Sequence, residues 1–214
     1  MPSSAWASST PSSPPSTATS YLTAAAIKGC GARPGVVGTL GYRFEGMEQP
    51  STHTSPEADE LARIAAKMRD AGATHLVMEV SSIALAAARV DAVRFRVAAF
   101  TNLTHDHLDY HGTMEAYAAA KERLFFEHQP LSAAVNVDDP WGARLAEKLA
   151  GQRLPRAAIL ARYSARTDAA REVEIAPETL VFDASGITMT VRTPAGAVTV
   201  RSPLIRAHNV SNLL

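Results

Sequence analysis

Residues 97–149 read VAAFTNLTHDHLDYHGTMEAYAAAKERLFFEHQPLSAAVNVDDPWGARLAEKL. Two short apolar runs, residues 97–101 (VAAFT) and 133–137 (AAVNV), have strand length and no helical period, and read as buried strands. Between them Met114, Tyr117, Leu124, Phe125 and His128 mark one face of a helix over 114–128. An Asp-Asp-Pro turn then opens a helix over 141–149, and residues 157–160 supply another short strand. Strands alternating with helices predict a mainly parallel α/β sheet.

The same alternation extends toward the N-terminus. Residues 75–80 (HLVMEV) read as a strand. Ahead of it Ser55-Pro56-Glu57 reads as a helix start, with Ser55 as cap, Pro56 in the first helical position, and Glu57, Asp59 and Glu60 near the positive end of the dipole. Leu61, Ile64, Ala65 and Met68 follow at helical spacing, and Gly72 stops that helix. Residues 81–89 are small and helix-compatible. Residues 36–42 (VVGTLGY) read as a strand entering a polar loop over 45–53, and 21–28 as a short helix ended by Gly29 and Gly31. Past Arg171 the period changes. Ile187, Met189 and Val191 alternate, as do Val198 and Val200, with Pro194-Ala195-Gly196 as the turn. This predicts an antiparallel hairpin in a small appended sheet.

A chain of 214 residues suffices for one sizeable domain. A formal net charge of +0 gives no basic surface for nucleic acid or anionic lipid. No apolar run reaches the roughly 18–20 residues of a membrane span. The one cysteine, Cys30, offers neither a disulfide framework nor a zinc spacing, and the expected setting is cytoplasmic. Residues 1–20 (MPSSAWASSTPSSPPSTATS) carry no charge and few large apolar side chains, and read as a disordered or non-native leader to a domain over 21–214.

In open parallel sheets, ligands bind beyond the carboxyl ends of strands. Glu79 lies at such an end, followed by Ser81 and Ser82. A carboxylate in an apolar strand is costly unless paired or on a metal, and magnesium favours carboxylate oxygen. The plainer reading is a salt-bridged Glu at an exposed tip. Residues 101–111 (TNLTHDHLDYH) crowd His105, His107 and His111 with Asp106 and Asp109 after another strand. They read either as a metal site, with zinc behind magnesium, or as a polar loop capping the next helix from Gly112 or Thr113. Lys121 falls on the apolar stripe of its helix, either snorkelling to water or chemically special.

Taken in order, GTLGY, TSP before a helix, MEVSS, TNLTHDHLDYHG, EAYAAAKERLF, VNVDDPWG and SPLIRAHNVSNLL resemble the Mur ligases, most closely the MurE type, over about residues 21–214. The resemblance implies a P-loop-NTPase-like sheet and an ATP-dependent ligase. Such an enzyme adds the third amino acid, diaminopimelate or lysine, to UDP-N-acetylmuramoyl-L-Ala-D-Glu through an acyl phosphate. It implies that Glu79 and His107 bind magnesium, that Lys121 is carbamylated and helps hold it, that Thr54, Ser55, Ser81 and Arg89 contact the muramoyl substrate, and that Asn209 lies near adenine. A monomer is expected, with no nucleic-acid or membrane partner. A non-catalytic module binding muramoyl peptide and magnesium, and a related folylpolyglutamate or cyanophycin-type ligase, are the alternatives.

The sequence also departs from the family. Where the family's phosphate loop reads like G-x-x-G-T-N-G-K-T-T, this chain reads SSPPSTATS, with Ser16 at the lysine and Pro15, which lacks an N–H for phosphate, at a glycine. Ile83 stands at a usual histidine, Ala87 at a usual glutamine and Arg206 at a glycine. The family's N-terminal UDP-binding and C-terminal domains have no counterpart in these residues. The chain alone is expected to be an incomplete central domain without ligase activity.

Overall fold

The computed structural model describes residues 15–151 and 159–214. Helix α1 spans Pro15–Gly29. Proline suits a first helical position because its fixed φ is already helical. The helix therefore starts ahead of Tyr21, and Thr17 and Ser20 are buried within what read as leader. Residues 1–14, the rest of that leader, lie outside the described residues.

Strands β1 (Pro34–Gly38), β2 (Gly41–Phe44) and β3 (Met47–Gln49) follow. The single strand and polar loop expected here fold instead as an antiparallel meander, pairing Val37 with Tyr42 and Phe44 with Met47. Glu45 (φ 37°) and Gly46 (φ 85°) both take positive φ, the conformation whose twist suits a two-residue hairpin. Helix α2 (Ala58–Asp70) buries Leu61, Ile64 and Met68, as their spacing predicts. Its N-cap is Glu57, without a side-chain cap bond, so Ser55 does not cap it.

Strand β4 (His75–Met78) leads to helix α3 (Ser82–Ala86), then β5 (Val97–Phe100), the short α4 (Leu108–His111) and α5 (Met114–Phe126). Thr113 caps α5, its Oγ1 accepting from Ala116 N at 3.1 Å. Next come β6 (Ser132–Asn136), α6 (Pro140–Ala150) and β7 (Ile159–Tyr163). A 3-10 turn (Thr167–Arg171) joins these to β8 (Ala176–Asp183), β9 (Gly186–Thr193), β10 (Gly196–Ser202) and α7 (His208–Leu213).

The molecule is α/β. Its parallel strands fall in two sheets, β3-β2-β1-β4 with β1 parallel to β4, and the wholly parallel β5-β6-β7. One hydrophobic cluster serves both, including Val37, Leu85, Phe100, Phe125, Val135 and Leu145. The antiparallel sheet β10-β9-β8 has a small cluster of its own, in which Val210 of α7 meets Ile187, Met189 and Val191. Among the described residues no helix is long and apolar enough to cross a membrane.

Candidate functional site

Glu79 follows β4 directly, and its N–H donates to Val37 O at 2.9 Å, so the β1–β4 ladder aims it. Its carboxylate is buried. Ser16 Oγ donates to Oε2 at 2.9 Å, Thr17 Oγ1 lies 3.1 Å from both oxygens, and Thr39 gives its N–H at 3.0 Å and its hydroxyl at 3.2 Å. A Cβ on residue 38 would run into Oε1, so this approach requires Gly38. Neutral donors satisfy the lone pairs but do not balance a carboxylate's charge, and among the described residues no cation pairs with Glu79. A carboxylate ringed by hydroxyls is a hard oxygen donor set and fits magnesium.

Beside it, Thr54 Oγ1 lies 3.1 Å from Thr39 Oγ1. Ser55 is buried beneath the site, its hydroxyl donating to Glu79 O and accepting from Ser81 N, each at 3.0 Å. That hydroxyl is used inside the protein, where it fixes Ser81 and the carbonyl of Glu79. Ser81 Oγ caps α3 by accepting from Ala84 N at 3.1 Å. Arg89 returns toward the same place, with NH1 3.4 Å from Ser55 O and NH2 2.7 Å from Glu57 Oε1. Thr54, Ser55, Glu79, Ser81 and Arg89 thus form one connected group.

A second group sits on α4 and α5. His107 adopts a left-handed backbone (φ 54°) and its Nε2 lies 3.6 Å from Asp106 Oδ2. Its ring meets Tyr117 edge-on at 5.9 Å, and Lys121 Nζ lies over the same Tyr117 ring at 5.4 Å. Burial lowers the Lys121 pKa, with Asp106 and Asp139 opposing the shift. His111 stacks on Tyr117 at 5.2 Å and its Nε2 is 2.8 Å from Ser82 Oγ, which ties the second group to the chain leaving Glu79. Burial also lowers the His111 pKa, with His107 and Lys121 adding to the effect and Asp109 opposing it. The loop does not gather its histidines and aspartates into a zinc cage: among the described residues no three His, Cys, Asp or Glu side chains are so placed. Among the described residues, Glu79 makes no hydrogen bond or ion pair with His107 or Lys121.

Asn209 lies on α7, accepting from Asn212 Nδ2 at 3.2 Å, while Asn212 accepts from Thr19 of α1 at 3.4 Å. Asn136 joins α7 to the parallel sheet, donating to Thr101 O at 2.8 Å and lying 3.4 Å from Ser211 Oγ. Sequence reasoning missed Ser16, Thr17 and Thr39 as Glu79's partners, and Tyr117 and His111 as neighbours of Lys121. Tyr117, one turn before Lys121 on the same face, carried a readable signal. Thr17 carried none, because its segment reads as leader.

A family model described as the Mur ligase middle domain matches residues 16–214, and the chain belongs to that family. Within it, the chain is 42% identical over 205 residues to the UDP-N-acetylmuramoyl-L-alanyl-D-glutamate--2,6-diaminopimelate ligase of Geobacter sulfurreducens, covering 92% of this chain and 38% of that protein. It is 44% identical over 181 residues to the same-named ligase of Gloeobacter violaceus, covering 84% and 35%. A solved structure of such a ligase superposes with a TM-score of 0.79 at 31% identity, covering 92% of this chain and 39% of its own. A folylpolyglutamate synthase complex (TM-score 0.61, 14% identical) shares the fold. The chain spans well under half the length of these curated relatives.

Proposed function

We propose that this chain is the middle-domain portion of an ATP-dependent ligase that adds diaminopimelate or lysine to UDP-N-acetylmuramoyl-L-Ala-D-Glu in cell-wall peptidoglycan precursor synthesis. The observation that carries the proposal is the buried, hydroxyl-ringed Glu79 at the carboxyl end of a parallel strand, with Arg89 and Thr54 beside it. The names of the relatives support the substrate. A monomer working in the cytoplasm completes the proposal.

In this reading Glu79, His107 and a carbamylated Lys121 would hold magnesium. When bound, the ion supplies charge neutralisation between the ATP phosphates and an incoming carboxylate. Arg89 offers a guanidinium, partly engaged by Glu57, to an anionic group of the muramoyl substrate. Ser81 and Thr54 line the approach, Ser55 fixes Ser81 from below, and Asn209 on α7 approaches the adenine. A lowered pKa makes the neutral Lys121 amine, the form that adds carbon dioxide, more accessible. The substrate carboxylate attacks the γ-phosphorus of ATP and expels ADP. The amino acid's nitrogen then attacks the acyl carbon of the acyl phosphate, phosphate leaves, and the nitrogen loses its proton.

One observation favours a second reading, a module that binds without catalysis: Ser16 stands where the family's phosphate-binding lysine is expected, and its hydroxyl is turned to Glu79. Calorimetry with UDP-N-acetylmuramoyl dipeptide and magnesium tests both readings. Binding at micromolar to millimolar ligand, weakened about tenfold or more in Arg89→Ala, is expected from the loss of a charge-assisted contact. No heat at millimolar ligand rejects both. ATP-dependent amide formation by the purified chain rejects the non-catalytic reading.

A further inference from the structure

Tyr117 is buried on α5 and touches three side chains of the second group at once. His107 meets its ring edge-on (interplanar angle 90°), His111 lies nearly parallel to it (18°), and Lys121 Nζ sits over it. His111 is itself held, by Ser82 Oγ on one side and by the Tyr110 ring, at 4.8 Å, on the other. Arg123 of α5 donates to Leu85 O at 2.6 Å, and this docks the helix on α3, which carries Ser82. The Tyr117 ring is therefore fixed from its own helix, from α3 and from α4.

His107 has little else to orient it. Its side chain is 39% exposed, its backbone is in the left-handed region, and its Nε2 lies 3.6 Å from Asp106, itself 65% exposed. Lys121 has several rotatable bonds and, among the described residues, no ion pair; its Nζ lies over the ring face. Metal ligands left unoriented bind weakly, and losing an outer-shell partner typically weakens a site about 10–100-fold. We propose that Tyr117, stacked on His111, is a positioning residue that holds the His107 imidazole in the pose the metal site uses. This rests on the reading of His107 as a metal ligand given above.

The test uses the purified 214-residue chain with Mn2+ as a paramagnetic stand-in for magnesium. Electron spin echo modulation reports whether an imidazole nitrogen is bound, whatever the activity of the chain. Wild type and Tyr117→Phe, which keeps the ring, are expected to show the nitrogen coupling. Tyr117→Leu is expected to lose it and to bind Mn2+ about tenfold more weakly. If Tyr117→Leu does not fold, His111→Gln, which keeps a hydrogen-bonding group near Ser82 but removes the stacked ring, is expected to reduce the coupling. Leu149→Ala, a cavity in α6 of the same core, controls for general destabilisation and should keep the coupling. Full coupling in Tyr117→Leu, or in His111→Gln where it alone folds, overturns the positioning role. Absence of coupling in wild type overturns His107 as a ligand, and the positioning role with it.

Discussion

A buried carboxylate surrounded only by neutral donors is an unusual thing for a strand to end in, and Glu79 is the residue on which the site turns. Glu79→Gln keeps the shape and removes the charge that would balance a cation. If Glu79 holds magnesium as proposed, magnesium titration by calorimetry is expected to show at least about tenfold weaker binding in this variant; unchanged binding would rule Glu79 out as the ligand. Tyr163 offers a test of stability. Its side chain is buried at the end of β7, its hydroxyl 3.4 Å from Phe100 O, and burial pushes its pKa up to about 12, with Asp138 and Asp139 adding to the shift and a hydrogen bond with Ser211 opposing it. An unfolded tyrosine titrates near about 10. Between those values the folded chain keeps a proton that the unfolded chain has lost. Stability from this group is thus complete below about pH 10 and falls as pH rises to about 12, by up to about 3 kcal/mol. Urea midpoints measured across that window should fall less steeply in Tyr163→Phe than in wild type, and equal slopes would exonerate Tyr163.

Among the elements, α6 shows how much a local signal can specify. Asp-Asp-Pro reads as a turn into a helix, and Asp139 caps it by accepting from Trp141 N and Gly142 N at 2.9 and 3.1 Å. Its other oxygen accepts from Leu103 N at 3.0 Å, so the same side chain ties down the loop after β5. Asp139→Ala is expected to cost about 2 kcal/mol, since it removes a cap and strands a further N–H; a urea midpoint within error of wild type would contradict this. Where the local signal involved a partner, it misled. Ser55-Pro56-Glu57 has the wording of a capped helix start, but the Ser55 hydroxyl goes to Glu79 O and Ser81 N, contacts that no local window contains. The β2–β3 hairpin escaped notice because Arg43, Glu48 and Gln49 are polar and its turn signal is the two-residue Glu45-Gly46 alone. The helix face bearing Tyr117, Leu124 and Phe125 was legible because its period is internal to α5.

At the scale of the whole molecule, the order of strands and helices could be read from the sequence, but the division of the parallel strands between two sheets could not. Nor could the return of α7 to α1, which depends on Asn212 finding Thr19 across almost the full chain. The two hydrophobic clusters differ in size, and this sets an expected order of opening. The antiparallel sheet rests on Ile187, Met189, Val191 and Val210, whereas β5, β6 and β7 share the large cluster with α5 and α6. Amide hydrogen exchange should therefore reach the β8–β10 amides at lower opening free energy than those of β6. Equal protection in both sheets would mean that the small cluster opens only with the large one.

If His107 is the metal ligand proposed above, its left-handed backbone sets stability against function. Only glycine adopts that conformation freely, and a side chain there costs on the order of 1 kcal/mol. His107→Gly should accordingly leave the melting temperature unchanged or raise it, while abolishing whatever the imidazole does. Screens of this chain for thermal tolerance alone would favour that replacement and, if His107 is the metal ligand proposed above, would select a sturdier protein with less of its chemistry.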